Sequence, residues 1–150
     1  MVSNKAGTTV RILDAFQELI AGSVLANEHI ARSLGVSVVD WQAFSVITRS
    51  EKSLTAGEIS ALTGLPTSTT TRVLDRLERR GFIERVADPA DRRRVVVRPS
   101  AEAVEQFRSD RPDNPYTPVK QAMQEIHKEF THEELQVVER YLLAVNHGFR

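Results

Sequence analysis

The sequence predicts a mainly α-helical protein with one short β-hairpin. Long segments near both ends carry apolar residues at helical spacing, which is typical of amphipathic helices. Between them, residues 55–81 predict two short helices joined by a tight turn, and residues 82–98 predict two short strands around a charged turn. A chain of 150 residues can bury a real core as one domain or as two joined lobes.

The first predicted helix covers residues 9–34. Its apolar residues recur at steps of three and four with one longer gap: Val10, Leu13, Phe16, Ile20, Val24 and Ala31. So long an apolar stripe needs a partner surface, and Gly35 is suited to ending the helix. Ser37 and Asp40 predict the cap of a second helix. The inner face of that helix is predicted to hold Val39, Ala43, Phe44 and Ile47.

Two further helices are predicted within residues 55–80. Thr55 stands three residues before Glu58, which is the spacing of a capping box, so a helix should begin there. Gly64 supplies the left-handed residue that commonly ends such a helix. Pro66 is then expected at the first position of the next helix, because a proline lacks an N–H that would be unsatisfied there anyway.

The second helix of this pair presents a polar outer face. Val73, Leu74 and Leu77 continue at helical spacing with Thr70 behind them, so a polar set faces outward: Thr67, Ser68, Thr71, Arg72, Asp75 and Arg76. The hydroxyl run at 67–71 is unfavourable for a helix, because β-branched residues lose rotamer freedom. Capping needs only one or two hydroxyls. Hydroxyls beside N-terminal amides suit phosphate oxygens and base edges, so the run favours a DNA-contacting surface over capping alone.

A hairpin is predicted after Gly81, with strands at residues 82–86 and 95–98. The turn composition of residues 88–91 lies between them. Three arginines follow the turn: Arg92, Arg93 and Arg94. At least one guanidinium should project beyond the hairpin, and narrow minor grooves attract such arginines. The alternatives are a solvated charge cluster and a local ion pair between Asp91 and Arg93 that stiffens the hairpin.

Residues 71–81 (TRVLDRLERRG) and 84–94 (ERVADPADRRR) resemble the winged helix-turn-helix of the multiple-antibiotic-resistance regulator (MarR) family. The resemblance implies a recognition helix from Pro66 to Arg80. It also implies a wing whose Asp-x-Arg pattern is supplied by Asp91 and Arg93, with the aspartate stabilising the wing and the arginine entering the minor groove. Members often carry Ser-Arg where this chain has Pro66-Thr67.

The resemblance implies a homodimeric, sequence-specific transcriptional regulator, usually a repressor, that binds a near-palindromic operator in double-stranded DNA. For the major groove we expect contacts from Thr67, Ser68, Thr69, Thr71 and Arg72. Arg76 is expected on phosphate, and Arg93 with Arg92 in the minor groove. The family also implies release by a small aromatic or anionic effector, often phenolic, bound between the dimer helices and the DNA-reading lobe.

Three residues of the second helix are candidates for contacting such an effector. Trp41 and Phe44 are candidate walls of its pocket, with core packing as the alternative for each ring. Arg49 is placed to meet a carboxylate, with a solvated arginine as the alternative.

The segment after the wing predicts a broken helical region. Pro99-Ser100 begins a helix that runs toward Arg108, but three prolines cannot lie inside one continuous helix: Pro112, Pro115 and Pro118. We therefore expect a break from Asp110 to Tyr116. A restart is expected with Thr117 as cap and Pro118 as first residue.

The last predicted helix begins at a capping box formed by Thr131 and Glu134. Its apolar residues are Leu135, Val138, Leu142 and Val145. The expected organisation is an N-terminal dimerisation helix (1–36), a winged helix-turn-helix lobe (37–99) and C-terminal dimerisation helices (100–150) broken near 110–117.

The apolar stripes of the first and last helices favour a dimer. Two recognition helices about 34 Å apart, one turn of DNA, would read a near-palindrome together. The alternative is that the two stripes bury each other within one monomer.

Charge distribution agrees with a DNA surface although the net charge is zero. Residues 66–98 hold nine arginines against five acidic residues, a net charge of +4, while the rest of the chain holds eleven basic and fifteen acidic residues. There is no apolar run long enough for a membrane span and no apolar signal core, which predicts a cytoplasmic protein. The absence of cysteine excludes sensing through a reactive thiol.

Neither catalysis nor a cofactor is predicted. The sequence lacks a phosphate-cradling glycine loop, a Gly-x-Ser-x-Gly elbow and a His-Glu-x-x-His pair. Four histidines leave a metal-responsive regulator as one alternative: His29, His127, His132 and His147. The other alternative is a module of this shape that binds a partner protein.

Overall fold

A computed structural model describes residues 2–107 and 114–148, with side chains from residue 5 onward. The helices of these residues are α1 (Val2–Ser33), α2 (Val38–Arg49), α3 (Ala56–Thr63), α4 (Thr67–Arg79), α5 (Ala101–Gln106), α6 (Thr117–His127) and α7 (His132–Gly148). The strands β1 (Ile83–Ala87) and β2 (Val95–Pro99) pair antiparallel, with Ile83 opposite Pro99 and Ala87 opposite Val95. The predicted mainly helical fold with one hairpin is confirmed. The chain forms two compact units, one ending at Gln106 and one beginning at Phe107.

Three predicted helix starts are confirmed by their hydrogen bonds. In each, a hydroxyl accepts a hydrogen bond from the backbone N–H three residues later, while the carboxylate there accepts one from the backbone of the capping residue. The pairs are Ser37 with Asp40, Thr55 with Glu58, and Thr131 with Glu134. The predicted helix ends are confirmed as well, because Gly35, Gly64 and Gly81 have φ values of 66°, 69° and 74°.

Some predicted boundaries were wrong by a residue or more. Pro66 has extended backbone with ψ of 146° and precedes α4, which begins at Thr67. The Phe82 N–H donates to the Leu77 carbonyl at 2.9 Å, so Phe82 closes the helix end and β1 begins one residue later than predicted. The first helix begins at Val2, well before residue 9.

The C-terminal restart also differs from the prediction. Tyr116 is the cap of α6, which makes Pro118 the second helical residue. The Tyr116 N–H donates to the Asn114 side-chain oxygen at 2.8 Å, which closes the turn before the helix. α5 ends at Gln106, and the predicted break at 110–116 lies largely outside the described residues.

The core of the first unit joins the helix-turn-helix to the hairpin. Its largest fully buried side chains are Trp41, Phe44, Ile59, Thr70, Val73, Leu74, Leu77 and Val97. Leu54 and Val97 exchange backbone hydrogen bonds at 3.1 and 2.7 Å, so the segment before α3 pairs with β2. α2, α3, α4 and the hairpin therefore form one packed body that sets where α4 lies.

Apolar side chains remain exposed on the long helices. On α1 they are Val10, Ile12, Leu13, Leu19, Ile20, Val24 and Leu25. On and after α6 they are Val119, Met123, Ile126 and Phe130, and on α7 they are Val137, Val138, Tyr141, Leu142 and Leu143. None of the helices in the described residues is both long and apolar enough to cross a membrane.

Candidate nucleic-acid interface

The outer face of α4 is a hydroxyl surface followed by an arginine. Thr67, Ser68, Thr71 and Arg72 are exposed, and Thr69 is half-buried. Thr70 instead lies in the core, where its hydroxyl donates to the Pro66 carbonyl at 3.1 Å. The Thr71 hydroxyl donates to the Thr67 carbonyl at 3.0 Å, so its oxygen can still accept a hydrogen bond from a ligand.

The turn between the strands is held by two aspartates. The Asp91 carboxylate accepts a hydrogen bond from the Arg93 N–H at 3.0 Å, and the Asp88 carboxylate accepts one from the Ala90 N–H at 2.9 Å. These are local side-chain-to-backbone bonds of the kind that shape turns. Asp91 thus bonds the backbone of Arg93, whereas the alternative considered above was an ion pair with its guanidinium.

The guanidinium groups of Arg92 and Arg93 are available at the tip of this turn. Both residues are exposed, and neither forms an ion pair with any residue in the described part of the chain. Arg94 lies 3.9 Å from both Asp88 and Glu58, at the base of the wing. Of the three arginines that follow the turn, the two expected in the minor groove are therefore the ones without an ion pair among the described residues.

Arg76 differs from its predicted outward orientation. Its Nε lies 3.1 and 3.2 Å from the two carboxylate oxygens of Asp40 on α2, and its Nη2 lies 2.6 Å from one of them. Asp40 is buried, with only 4% of its surface exposed. A planar guanidinium matches a carboxylate in this two-point geometry. The pair joins α4 to α2. Because Nε and Nη2 of Arg76 bind Asp40, the predicted phosphate contact would have to come from its Nη1.

Burial raises the pKa of Asp40, but its hydrogen bonds from Arg76 and Ser37 and the charge of Arg76 outweigh this effect. The net result is a pKa below the ordinary value, so the carboxylate is ionised at neutral pH. Sequence reasoning assigned Asp40 only a capping role, because its partner lies 36 residues away.

A second bridge was missed by sequence reasoning. Arg85 on β1 donates to the Asp75 carboxylate at 2.7 Å and also to the Glu78 carboxylate, both on α4. The alternation of side chains along a strand and the spacing of side chains along a helix do not show which residues of the two elements will contact each other. Only the turn at Gly81 brings β1 back along α4.

Trp41 and Phe44 are core residues in this structure. Each is only 2% exposed, and their ring centroids lie 5.6 Å apart, with Phe82 edge-on to Phe44 at 5.3 Å. Core packing accounts for both rings.

A separate cleft of about 280 Å³ opens among α1, α2 and the turn between α3 and α4. It is lined by Asn27, Gln42, Ser45, Val46, Arg49, Leu62, Thr63 and Leu65. Neither predicted wall residue, Trp41 or Phe44, is among the residues that line it.

The histidines do not assemble a metal site in the described part of the chain. No group of three or more His, Cys, Asp or Glu side chains there has a geometry that could hold a metal ion. His127 and His132 border one apolar hollow in the second unit, and the His132 Nε2 lies 3.1 Å from the Gln136 amide nitrogen.

Comparisons with known proteins place this geometry in a family. Residues 34–94, from the end of α1 to the wing, match the MarR family. The uncharacterized HTH-type transcriptional regulator YcgE of Bacillus subtilis is 31% identical over 123 residues, which span 82% of this chain and 76% of that protein. The chain belongs to the MarR family.

Solved structures agree on the fold of this MarR-family chain. A MarR family protein from Bacillus stearothermophilus superposes with a TM-score of 0.70 at 22% identity, over 95% of each chain. Streptococcus pneumoniae FabT, crystallised in complex with DNA, superposes with a TM-score of 0.65 at 22% identity, over 93% of this chain and 95% of FabT. As a MarR-family protein, the chain is a DNA-binding transcriptional regulator of the winged helix-turn-helix class and not an enzyme.

Proposed function

We propose that this regulator is a cytoplasmic homodimeric repressor that binds a near-palindromic operator and is released by a small aromatic or anionic ligand. The observation that carries the proposal is the extent of exposed apolar surface on α1, α6 and α7, beside a DNA-binding motif that one protomer carries only once. So many exposed apolar side chains on each of these helices are typical of an interaction site. A two-fold dimer would pair two copies of α4 for two half-sites.

The DNA contacts in this proposal come from two surfaces. Thr67, Ser68, Thr69, Thr71 and Arg72 on α4 are proposed to meet the major groove, and Arg93 with Arg92 the minor groove. Their support is exposure: Arg72, Arg92 and Arg93 are exposed, and no described carboxylate pairs with them. Arginine engages guanine edges in the major groove and inserts into narrow minor grooves.

The ligand in this proposal occupies the cleft beside Arg49. Apolar lining from Val46, Leu62 and Leu65 suits a ring, while Arg49 and Gln42 suit an anionic or hydrogen-bonding substituent. The cleft volume of about 280 Å³ lies just below the usual range for small-molecule sites, so the ligand is small.

An occupant of the cleft would be coupled to α4 through the preceding turn. The Leu65 carbonyl in that turn accepts a hydrogen bond from the Ser60 hydroxyl at 2.6 Å. A ligand can shift the DNA-binding state only by binding one arrangement of α4 more tightly than another. Contact with the turn that leads into α4 gives such a ligand a direct way to do so.

The test combines DNA binding, association state and ligand release. A labelled duplex from the region upstream of the protein's own gene is titrated with the protein at two salt concentrations, and sedimentation gives the stoichiometry. Small aromatic acids are then screened for release of the duplex. A dimer on DNA that one such acid releases supports the proposal, and a monomer on DNA overturns its dimeric part.

Two matched variants locate the ligand. Arg49→Gln should weaken release by the acid, while Arg32→Gln should leave it unchanged, because Arg32 pairs with Glu28 on α1 and does not line the cleft. Equal sensitivity of both variants to the acid would place the ligand elsewhere. A reporter gene placed behind the same upstream region tests whether the protein represses or activates transcription. A repressor should lower reporter expression, and the acid should restore it.

A further inference from the structure

Arg85 reaches from the hairpin to α4 and meets two carboxylates there. Its Nη2 donates to Asp75 Oδ1 at 2.7 Å, and its Nη1 donates to the Glu78 carboxylate. The Arg85 side chain is only 26% exposed, whereas those of Asp75 and Glu78 are 50% and 40% exposed. The Arg85 side chain is therefore less exposed than either of the carboxylates that it bonds.

The two carboxylates lie where a DNA-binding protein should avoid negative charge. Asp75 and Glu78 come four and seven residues after Thr71 on α4, so the three residues share a face of the helix. That face carries the exposed Arg72 and the hydroxyls proposed for the major groove. A carboxylate without a counter-charge there would repel the phosphates of an approaching duplex.

Arg85 is distinct from Arg98, another paired arginine of the hairpin. Arg98 donates to Glu84 at 2.6 Å, and these two residues are cross-strand partners within the hairpin itself. In the described part of the chain, the ion pairs that join the hairpin to α4 are those of Arg85. A planar guanidinium can bond two acceptors at once, which an ammonium group on a flexible stem does less well.

We propose that Arg85 is a positioning residue for DNA binding. It acts through two other residues, because its guanidinium neutralises Asp75 and Glu78 on the DNA-facing side of α4 while making no DNA contact of its own. The proposal rests on the DNA surface proposed above. It explains how two acidic residues can lie on that surface, since an arginine of the hairpin compensates their charge.

The experiment measures duplex affinity and its salt dependence for four variants of the full-length chain. The probe is a labelled duplex that the wild-type protein selects from a random pool. Arg85→Gln leaves both carboxylates uncompensated and should weaken binding about tenfold. Arg98→Gln removes the same charge from the neighbouring strand and should change the affinity less than about twofold, because it breaks an exposed pair away from α4.

The deciding variant combines Arg85→Gln with Asp75→Asn and Glu78→Gln. If Arg85 acts by neutralising the carboxylates, this triple variant should bind within about threefold of wild type, with an unchanged dependence of log affinity on log salt. Arg85→Lys keeps the charge without the planar fork and should lie between wild type and Arg85→Gln. Circular dichroism checks that each variant is folded, and if Arg85→Gln is not, the triple and lysine variants still decide.

Two results would overturn the proposal. A triple variant as weak as Arg85→Gln, with a salt slope lower by about one unit, would show that Arg85 itself contacts phosphate. Wild-type affinity in Arg85→Gln would show that the bridge is irrelevant to binding. Failure of the proposed DNA surface gives a different pattern, in which Arg72→Ala and Arg93→Ala leave the wild-type affinity unchanged.

Discussion

Replacement of Arg76 by methionine should destabilise the protein by leaving the Asp40 carboxylate buried without its partner. The side chain of Asp40 is only 6% exposed, and three contacts of 2.6 to 3.2 Å join it to the Arg76 guanidinium. Removing one partner of a fully buried pair costs about 3–5 kcal/mol. Since the Arg76 side chain is 42% exposed and solvent screens the pair, we expect about 2 kcal/mol.

The reverse change, Asp40→Asn, should cost less, about 1 kcal/mol. Asparagine keeps the shape of the side chain and an acceptor for the Ser37 N–H, and the released Arg76 can turn toward water. The double variant should be about as stable as Arg76→Met alone, because its buried group is no longer charged. The coupling energy between the two positions is then about 1 kcal/mol.

Urea unfolding followed by circular dichroism measures these free energies. It should be repeated at several protein concentrations, since association adds to the apparent stability. In thermal unfolding, a loss of about 2 kcal/mol corresponds to about 4–8 °C for a chain of this size. A coupling energy below about 0.3 kcal/mol would refute the reasoning, because it would mean that the pair contributes nothing beyond its separate side chains.

The pH dependence of the same variants gives an independent check. The pKa of Asp40 is lower in the folded state than its ordinary value of 3.8, so its stabilising contribution is complete above that value and is lost as the pH falls through the folded-state pKa. The difference in stability between wild type and Arg76→Met should therefore narrow below about pH 4. A difference that is constant from pH 7 to pH 3 would contradict the ion pair as its cause.

Three further predictions concern the wing, the start of α3 and the end of α4. Arg93→Ala should weaken duplex binding and lower the salt slope by about one unit while the association state stays the same, and an unchanged slope with unchanged affinity would contradict its contact with DNA. The backbone N–H and hydroxyl of Thr55 and the Lys52 ammonium lower the pKa of Glu58 to about 2, so the contribution of this cap is present above pH 4.5 and lost as the pH falls toward 2. Glu58→Gln should remove that part of the acid dependence of unfolding, and an acid profile identical to that of wild type would contradict the cap. Gly81→Ala should cost about 1 kcal/mol because its φ is 74°, whereas Gly22→Ala within α1, where an added Cβ meets no atom within 4 Å, should be neutral or stabilising. Equal unfolding midpoints for the two glycine variants would contradict strain at Gly81.

Much of this protein is readable from the sequence because its signals are local. A capping hydroxyl and its partner lie three residues apart, as in Thr55 with Glu58, and a left-handed glycine ends a helix wherever the neighbouring turn requires one, as at Gly64. The order of helices and strands follows from such signals. The missed boundary at Phe82 depends on the hydrogen bond of its N–H to the preceding helix.

The exposed surface proposed to contact DNA was readable for a similar reason. The helical spacing of Thr67, Thr71 and Arg72 shows which face of α4 is polar, and turn composition shows that Arg92 and Arg93 follow the tip of the wing. Their exposure in the structure agrees with this placement. What each of them contacts on DNA stays a prediction.

Pairings between separate elements were decided by the tertiary structure. Asp40 and Arg76 are 36 residues apart, and Arg85 reaches Asp75 only because the hairpin folds back on α4. A charged side chain on a helix surface has the same local pattern whether it meets solvent, a carboxylate or a phosphate, so spacing along the chain cannot distinguish these partners. Packing of α2, α4 and the hairpin into one core brings particular charges within hydrogen-bond distance, and that geometry depends on contacts distant in sequence.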